Sequence, residues 1–311
     1  MGQEGALETR GDTSIKPSKA RPPKPRDVLA LLKPVTWFPP MWAFMCGVVS
    51  SGVSLSDRWP FMVAGMLLAG PLVCGTSQAV NDWFDRHVDA INEPDRPIPS
   101  GRIAGRWGLA IAIIGSAISA IVGAMLGLWV FLATVLGLAL AWAYSAPPLR
   151  LKMSGWWGPG SVGFSYEGLT WFTGAAVMLG SLPSMQTLTI LILYSLGAHG
   201  IMTLNDFKAV AGDQQMGIRT FPVMFGVKKA AIYACLIMIV PQIAVAAFLL
   251  NWGSPWHAAA IAVLILGQAA AMPRMIAQPE KYAPWYNGVG ITQYVSGMLI
   301  AAFALGGMGG I

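Results

Sequence analysis

Charged side chains are scarce in this 311-residue chain, in which Asp, Glu, Lys and Arg together make up 11% of the residues, against about 25% in an average soluble domain. Cysteine and histidine are also rare, with three of each. This shortage argues against a disulfide framework and against a zinc site. Cys46, Cys74 and Cys235 lie singly in apolar segments, where each is predicted to be a packing residue. With 55% hydrophobic residues, the composition predicts a protein that has lipid as its solvent.

Nine apolar runs are long enough, at about 20 residues each, to cross a hydrocarbon core as helices. The sequence therefore predicts an all-α integral membrane protein with nine transmembrane helices. Residues 1–30 are polar and basic, and we expect them to form a disordered cytoplasmic tail ahead of a polytopic membrane domain at 31–311. The runs are 38–55, 60–80, 107–124, 127–145, 161–180, 186–205, 229–250, 256–276 and 287–307.

The basic residues are distributed unevenly about these runs. If the N-terminus is cytoplasmic, nineteen of the twenty Lys and Arg residues fall on the cytoplasmic side, and only Arg58 falls outside. Basic residues favour the cytoplasmic side of a membrane, so this bias predicts the orientation. The net charge of +6 is then explained by topology and by contact with anionic lipid, which argues against nucleic-acid binding.

Two cytoplasmic segments, after the second and sixth runs, resemble each other. AVNDWFDRHVD and TLNDFKAVAGD lie 124 residues apart, and an even number of spans separates them. Both should therefore emerge on the same side of the membrane and face one another across a central cavity, although a match this short can also arise by chance. The alignment pairs Asn81 with Asn205, Asp82 with Asp206 and Asp89 with Asp213, and it places Asp85 opposite Ala209.

The spacing of the acidic residues favours a metal site. Asp82, Asp85 and Asp89 would share one face of a helix, and clustered carboxylates repel each other unless a cation neutralises them. Their hard oxygen atoms favour Mg²⁺. We expect Asp206 and Asp213, seven residues apart on the other helix, to supply the facing ligands. A solvated loop after a membrane span is the plainer alternative.

A phosphate-bearing ligand of such a site would need further polar and basic partners. Any one of the nearby basic residues can instead serve only to set the topology. Lys152 and Lys208 are the stronger candidates because they lie within the motifs. The full set of candidates is Asn81, Arg86, Arg96, Arg150, Lys152, Asn205 and Lys208.

Glu167 and His199 stand out as ionisable residues inside apolar runs, where such groups are costly and often functional. Glu167 is near the cytoplasmic end of its run and is a candidate for binding substrate. His199 is better explained as a packing or hydrogen-bonding residue. Three tryptophans could line a pocket for a flat ring, although anchoring at the membrane interface is the commoner role; they are Trp156, Trp157 and Trp171.

The segment NDWFDRHVDAINEPDRPIPSGR resembles the first signature of the UbiA superfamily of membrane prenyltransferases, and the resemblance in topology covers about residues 30–307. Within that family, INEPDRPIPSG, YSAPPLRLK, SYEGL and NDFKAVAGDQQMGIRT are similar to the chlorophyll and bacteriochlorophyll synthase branch. The resemblance implies that Asp82, Asp85 and Asp89 form the first metal motif and that Asp213 belongs to the second. Ala209 stands where many members carry another Asp, and Asp206 is a candidate to replace it.

The resemblance also implies the reaction. A geranylgeranyl or phytyl group would pass from its diphosphate to the propionate carboxylate of bacteriochlorophyllide, with Mg²⁺ as cofactor, in a bacterial cytoplasmic or intracytoplasmic membrane. The propionate is already an anion, so no general base is needed, and the sequence offers no Ser-His-Asp or Cys-His grouping. Chlorophyllide, an aromatic quinone precursor and haem remain alternative acceptors. A transporter with an ion site is the alternative from another class, but it would place charges near the membrane midplane.

Overall fold

The computed structural model describes residues 21–308 as an all-helical bundle. Seven helices are long and apolar enough to cross a membrane, or eight if the bent segment Pro25–Thr36 with Phe38–Ser50 counts as one span. The predicted count of nine therefore stays a prediction. The helices are α1 Pro25–Leu32, α2 Phe38–Ser50, α3 Leu55–Leu67, α4 Gly75–Asn92, α5 Trp107–Leu126, α6 Leu128–Ser145, α7 Trp157–Gly163, α8 Thr170–Leu179, α9 Met185–Asp206, α10 Val210–Gln215, α11 Phe221–Phe225, α12 Val227–Asn251, α13 Pro255–Ala277 and α14 Pro279–Met308.

Helix α1 corrects the predicted boundary of the N-terminal tail. It begins at Pro25, whose fixed φ suits a first helical position, and it includes residues that the sequence had assigned to the disordered segment. Asp27 is buried and accepts a bond from Arg102 at 3.2 Å. Leu31 is fully buried in a cluster with Ala79 and Val80 of α4. The tail as predicted therefore ends too late, and its residues 1–20 lie outside the described residues.

Two π-helical segments interrupt the bundle, Leu68–Cys74 between α3 and α4 and Phe164–Leu169 between α7 and α8. The wider π turn leaves extra backbone groups unpaired locally and is often found at functional sites. The second segment lies in the predicted run 161–180, so that α7, the π segment and α8 form one helical stretch over 157–179. Both segments border the cavity described below.

Small residues bring α2 and α8 into close contact. A Cβ atom at Gly47 would lie 2.0 Å from the carbonyl oxygen of Trp171, and one at Gly174 would lie 2.0 Å from the carbonyl oxygen of Phe44. Only glycine fits at either position. In lipid, apolar side chains gain little free energy by moving from the lipid tails to another helix, so helices associate through close packing of small residues. The contact between α2 and α8 holds in place the helical stretch that contains the second π segment.

The three C-terminal helices form a separate layer. Helix α12 packs against α9, and α14 packs against α2, α9 and α13. Residues of α12, α13 and α14 belong to one large apolar cluster together with residues of α9. The three C-terminal helices therefore cover one side of α9. Among the described residues, those that line the cavity lie between positions 36 and 205.

Candidate active site at the polar end of the cavity

A cavity of about 400 Å³ opens among α2, α4, α6, α7, α8 and α9. One end is polar, with Asn81, Tyr144 and Asn205, and the lining becomes mainly apolar toward Leu68 and Leu169. None of the lining residues is charged. The shape and chemistry suit a ligand that has a polar head and a long hydrocarbon chain.

The buried carboxylate of Asp82 is paired with two cations of the protein. Its side chain is 0% exposed, and Oδ1 accepts bonds from Lys33 Nζ at 2.7 Å and from Arg96 Nη1 at 3.4 Å. Arg96 also donates to Asp89 Oδ2 at 2.8 Å and is held by Glu93. Asp82 and Asp89 thus share one guanidinium group.

Asp85, on the same helix, has different partners. Lys152 donates to Asp85 Oδ1, and the Asn81 amide donates to Asp85 Oδ2 at 2.9 Å. Asn81 also contacts the Ser145 hydroxyl at 3.2 Å. Because Asn81 lines the cavity, Asp85 lies directly beside its polar end. The sequence-predicted residues Asp85, Asn81 and Lys152 are therefore brought together.

Lys33 is the partner that sequence reasoning missed. It ends α1 with a left-handed backbone at φ 47°, which is uncommon for a residue other than glycine. In the sequence it is one of several basic residues near the N-terminus, and nothing in its spacing links it to Asp82. The clustered carboxylates were expected to require a metal for neutralisation. In the structure, side-chain cations neutralise them.

The second acidic segment departs from its predicted form. Asp206 is the last residue of α9, and Asp213 lies on the short helix α10, after a turn at 207–209. The prediction that both lie on one helix is wrong. The turn is closed by a bond from Ala209 N–H to the Asp206 carbonyl at 3.0 Å, and it buries Phe207 in the main apolar cluster.

Asp206 and Asp213 have few partners. Asp206 Oδ2 is buried and has no hydrogen-bond partner. Asp213 Oδ2 accepts a bond from the Thr220 hydroxyl at 3.3 Å. Burial raises the pKa of the Asp213 carboxyl above its ordinary value, and the bond from Thr220 partly opposes this rise. Within residues 21–308, no Lys or Arg nitrogen lies within 4 Å of either carboxylate.

The two acidic segments meet at one end of the bundle. Tyr144 lies within electrostatic range of Asp85, Asp206 and Asp213, and Asn81 and Asn205 line the same cavity. The connection after α6 is tied to the connection after α10 by backbone bonds between Arg219 and residues 153 and 155, at 3.1 and 2.8 Å. Tyr144 is therefore close to both acidic segments, and nothing in its sequence context indicates this position.

In the described part of the chain, several nominated residues form no ion pair with the carboxylates of the two acidic segments. Arg86 stacks on Trp83 of its own helix, with its guanidinium carbon 4.2 Å from the ring centre. Lys208 is exposed, and Arg150 caps a turn with φ 41°; among the described residues neither forms an ion pair. Glu167 is buried with Oε2 unpaired, but it does not line the cavity.

The three candidate tryptophans differ in their exposure. Trp171 is fully buried, stacks on Tyr194 and donates to the Ser50 hydroxyl at 3.0 Å, so it is a core residue. Trp156 and Trp157 are exposed. Asn205 accepts a bond from Asn287 at 3.3 Å, which connects α14 to the second acidic segment.

The donor set at this site fits a hard divalent cation. All candidate ligands are carboxylate oxygens, and two of them, Asp82 Oδ2 and Asp206 Oδ2, are buried without a partner. Such atoms are costly unless a ligand satisfies them. Among the residues that the structure describes, no three acidic, His or Cys side chains already converge on one point. An ion that also bound Asp82 Oδ1, Asp85 Oδ1 or Asp89 Oδ2 would displace Lys33, Lys152 or Arg96 from these atoms.

Comparison with known proteins identifies the family. The sequence model of the UbiA prenyltransferase family matches residues 36–306. The chain belongs to this family. It is therefore a prenyltransferase and a multi-pass membrane protein. This membership excludes the transporter alternative and agrees with a cavity that has a polar end and an apolar interior.

Relatives in the UbiA family include the bacteriochlorophyll synthase 33 kDa chain of Cereibacter sphaeroides, which is 57% identical over 92% of this chain and 95% of its own length. The corresponding protein of Rhodobacter capsulatus is 56% identical over 94% of this chain and 97% of its own length. Chloroplastic chlorophyll synthase of Oryza sativa is 37% identical over 89% of this chain and 76% of its own length.

Solved structures of UbiA proteins share the fold. A digeranylgeranylglyceryl phosphate synthase superposes with a TM-score of 0.71 at 19% identity and covers 90% of this chain and 97% of its own. A UbiA homologue of Archaeoglobus fulgidus, bound to GPP and Mg²⁺, superposes with a TM-score of 0.66 at 20% identity and covers 86% and 99%. At these identities the likeness establishes the helical architecture.

Proposed function

We propose that this protein transfers a geranylgeranyl or phytyl group from its diphosphate to the propionate carboxylate of bacteriochlorophyllide. The observation that carries the proposal is the identity of 57% with a bacteriochlorophyll synthase chain along nearly the whole length of both proteins. The cavity adds independent support, because its polar end and apolar interior match a diphosphate joined to a long hydrocarbon.

We further propose that the two acidic segments hold Mg²⁺ together with the donor diphosphate. Asp82, Asp85 and Asp89 would act from α4, and Asp206 and Asp213 from the facing segment. Support comes from the two buried oxygens without partners and from the archaeal homologue, whose structure contains GPP and Mg²⁺. When bound, the ion would withdraw electron density from the diphosphate and stabilise it as a leaving group.

The basic residues of the site have a role in the same step. Lys33, Arg96 and Lys152 balance the carboxylates in the free protein, and they can turn to the diphosphate oxygens when an ion takes their place. Asn81 and Asn205 border the same space. Lys208, Arg86 and Arg150 would at most form an outer ring of positive charge. These contacts orient the diphosphate and favour its departure.

In the reaction the bond between the allylic carbon C1 and the diphosphate oxygen breaks, and the electron pair leaves with the diphosphate. A propionate oxygen of the acceptor forms the new bond to C1 and gives an ester. No proton has to be removed because the acceptor is already a carboxylate. The apolar wall of the cavity keeps water from the developing cation and so limits hydrolysis.

The orientation and number of spans belong to this proposal. We infer nine spans, a cytoplasmic N-terminus, and an active site that faces the cytoplasm of a bacterial inner or intracytoplasmic membrane. Single cysteines at Ser100 and Ser181, both exposed, test the orientation, since the natural thiols are buried. An impermeant thiol reagent should label Ser181→Cys on intact spheroplasts, and Ser100→Cys only after permeabilisation.

The acceptor is tested directly in membranes that contain the protein. Each of geranylgeranyl and phytyl diphosphate is incubated with bacteriochlorophyllide, chlorophyllide, an aromatic quinone precursor or haem, and the products are separated. We expect the ester of bacteriochlorophyllide to form fastest. A faster product from another acceptor would contradict the assignment and would name the true substrate class.

A further inference from the structure

His199, on α9 and seven residues before Asp206, has an unusual environment. Both of its ring nitrogens are buried, and neither has a hydrogen-bond partner with normal geometry, although the Trp156 carbonyl lies close to the ring. The sequence favoured a packing or hydrogen-bonding role for this residue. An imidazole has one donor and one acceptor to satisfy, and an unsatisfied buried polar atom is costly. The geometry leaves this ring in need of a ligand.

Aromatic rings surround the imidazole on one side. Phe221 lies 5.2 Å and Trp156 6.1 Å from the His199 ring, measured between ring centres. Tyr233 and Phe225 extend the group, and we call Trp156, Phe221, Phe225 and Tyr233 the aromatic cluster. Phe221 is fully buried, whereas the other three are 42–46% exposed. The cluster is therefore a partly open apolar surface.

The aromatic cluster adjoins the candidate active site. Phe221 follows Thr220, whose hydroxyl bonds to Asp213. Trp156 lies four residues after Lys152, which pairs with Asp85. A molecule resting on the cluster would therefore have one edge close to both acidic segments. The cluster does not overlap the cavity, since none of its members lines it, so a prenyl donor could occupy the cavity at the same time.

We propose that the aromatic cluster holds the flat macrocycle of the acceptor and that His199 is an axial ligand of the Mg²⁺ at its centre. This inference rests on the proposed function, which makes the acceptor a planar macrocycle with a central Mg²⁺ and a carboxylate at its edge. The rings supply stacking surface, and a neutral imidazole nitrogen is a common metal ligand. The Trp156 and His199 rings are tilted by 51° at 6.1 Å between centres, and in this proposal the indole moves to admit the acceptor.

Anchoring at the membrane interface would also explain exposed aromatic side chains. It does not explain why both nitrogens of the neighbouring imidazole are buried without a hydrogen bond of normal geometry. The two explanations differ in what they predict for an acceptor that lacks its metal. If His199 binds the Mg²⁺, the imidazole should contribute to the affinity for the macrocycle only when the macrocycle contains the ion. If His199 only packs, the ion should make no difference.

The test is a spectroscopic titration of the purified full-length protein with bacteriochlorophyllide and with the same macrocycle without metal. The wild type should shift the visible band that reports the number of axial ligands on Mg²⁺. His199→Ala should lack that shift and bind bacteriochlorophyllide at least about tenfold more weakly, while its Kd for the metal-free macrocycle stays within about twofold of wild type. Added imidazole should restore the band. His257→Ala, at the start of α13, is the matched control and should behave as wild type.

An equal loss of affinity for both macrocycles would overturn the proposal and assign His199 to packing, as would an unchanged spectrum. Turnover gives a second readout. In His199→Ala the KM for bacteriochlorophyllide should rise, whereas the KM for the prenyl diphosphate should not. A wild-type protein that esterifies bacteriochlorophyllide while His199→Ala is unaffected would defeat only this inference. A wild-type protein that neither binds nor esterifies a magnesium macrocycle would defeat the proposed function with it.

Discussion

The two acidic segments have similar sequences but differ in structure and in charge balance. In the first, α4 continues unbroken to Asn92, and its three carboxylates are paired with cations that come from three separate parts of the chain. In the second, α9 stops at Asp206, and neither acidic residue has a cation within 4 Å among the described residues. Similar motifs can therefore provide one neutralised cluster and one that still attracts positive charge.

The difference has identifiable causes. Arg96 follows the first segment in a local turn and reaches back to Asp82 and Asp89. Arg219, which follows the second segment, bonds through its backbone to the connection after α6. Ala209 replaces the middle carboxylate, and Phe207 is anchored in the core. We infer that the second segment is the side on which an incoming cation first gains a partner.

Removal of divalent ions should have the largest effect. EDTA should lower transfer activity by at least about 100-fold, because the diphosphate then leaves without Lewis-acid assistance. Added Mg²⁺ should restore it. Product formation in membranes measures both steps. Activity that is indifferent to the chelator at saturating substrate would contradict a metal shared by the two segments.

Asp82→Asn should reduce activity by at least about 100-fold, as expected when an electrostatic contact to the reacting group is lost. Asp89→Ala should also abolish transfer while the protein remains folded and inserted. Asp57→Asn, exposed at the start of α3, is the control and should remain active. Normal turnover by membranes that contain Asp82→Asn would remove the first segment from the site.

Asp206→Asn should mainly weaken the affinity for Mg²⁺. We expect the Mg²⁺ concentration for half-maximal activity to rise by about 10- to 100-fold, and saturating Mg²⁺ should recover most of the rate. Asp213→Asn should give a similar but smaller rise, because Thr220 already occupies one of its oxygens. Titrations of rate against Mg²⁺ compare the two. If neither variant changes the requirement, the second segment has another role.

Lys33→Gln tests the charge balance of the first segment. It leaves Asp82 with Arg96 at 3.4 Å as its remaining cation, and a poorly paired buried carboxylate costs about 1–3 kcal/mol. The Tm of the purified protein should therefore fall. Mg²⁺ should offset the loss by taking the place of the ammonium group. Both proteins are also measured in the absence of Mg²⁺. If Lys33→Gln and the wild type then have the same Tm, Lys33 does not neutralise Asp82 in solution.

Arg86→Gln should have the smallest effect, with activity within about threefold of wild type. The Arg86 side chain stacks on Trp83 and donates to the Trp83 carbonyl at 2.6 Å, so it stabilises its own helix. Steady-state kinetics with the prenyl diphosphate measure the change. A large increase in the KM for that donor would place Arg86 among the residues that bind diphosphate.

Much of the architecture followed from the sequence because it depends on local composition. Each of the nine apolar runs overlaps a helical stretch in the structure, since backbone groups in lipid must bond within their own segment. The two acidic motifs were expected at one end of the bundle, because an even number of spans between them returns the chain to the same side. The spacing of Asp82, Asp85 and Asp89 likewise predicted a shared helix.

Tertiary structure alone decided which charges meet. Lys33 reaches Asp82, 49 residues away, and Lys152 reaches Asp85, 67 residues away; the sequence shows only that each is basic. The break after Asp206 depends on where Phe207 packs, and the environment of His199 depends on aromatic rings from three other segments. Hydropathy and spacing determine where helices form because helix formation depends on neighbours along the chain. Ion pairs, helix breaks and unsatisfied nitrogens depend on neighbours in space, which only the packed bundle defines.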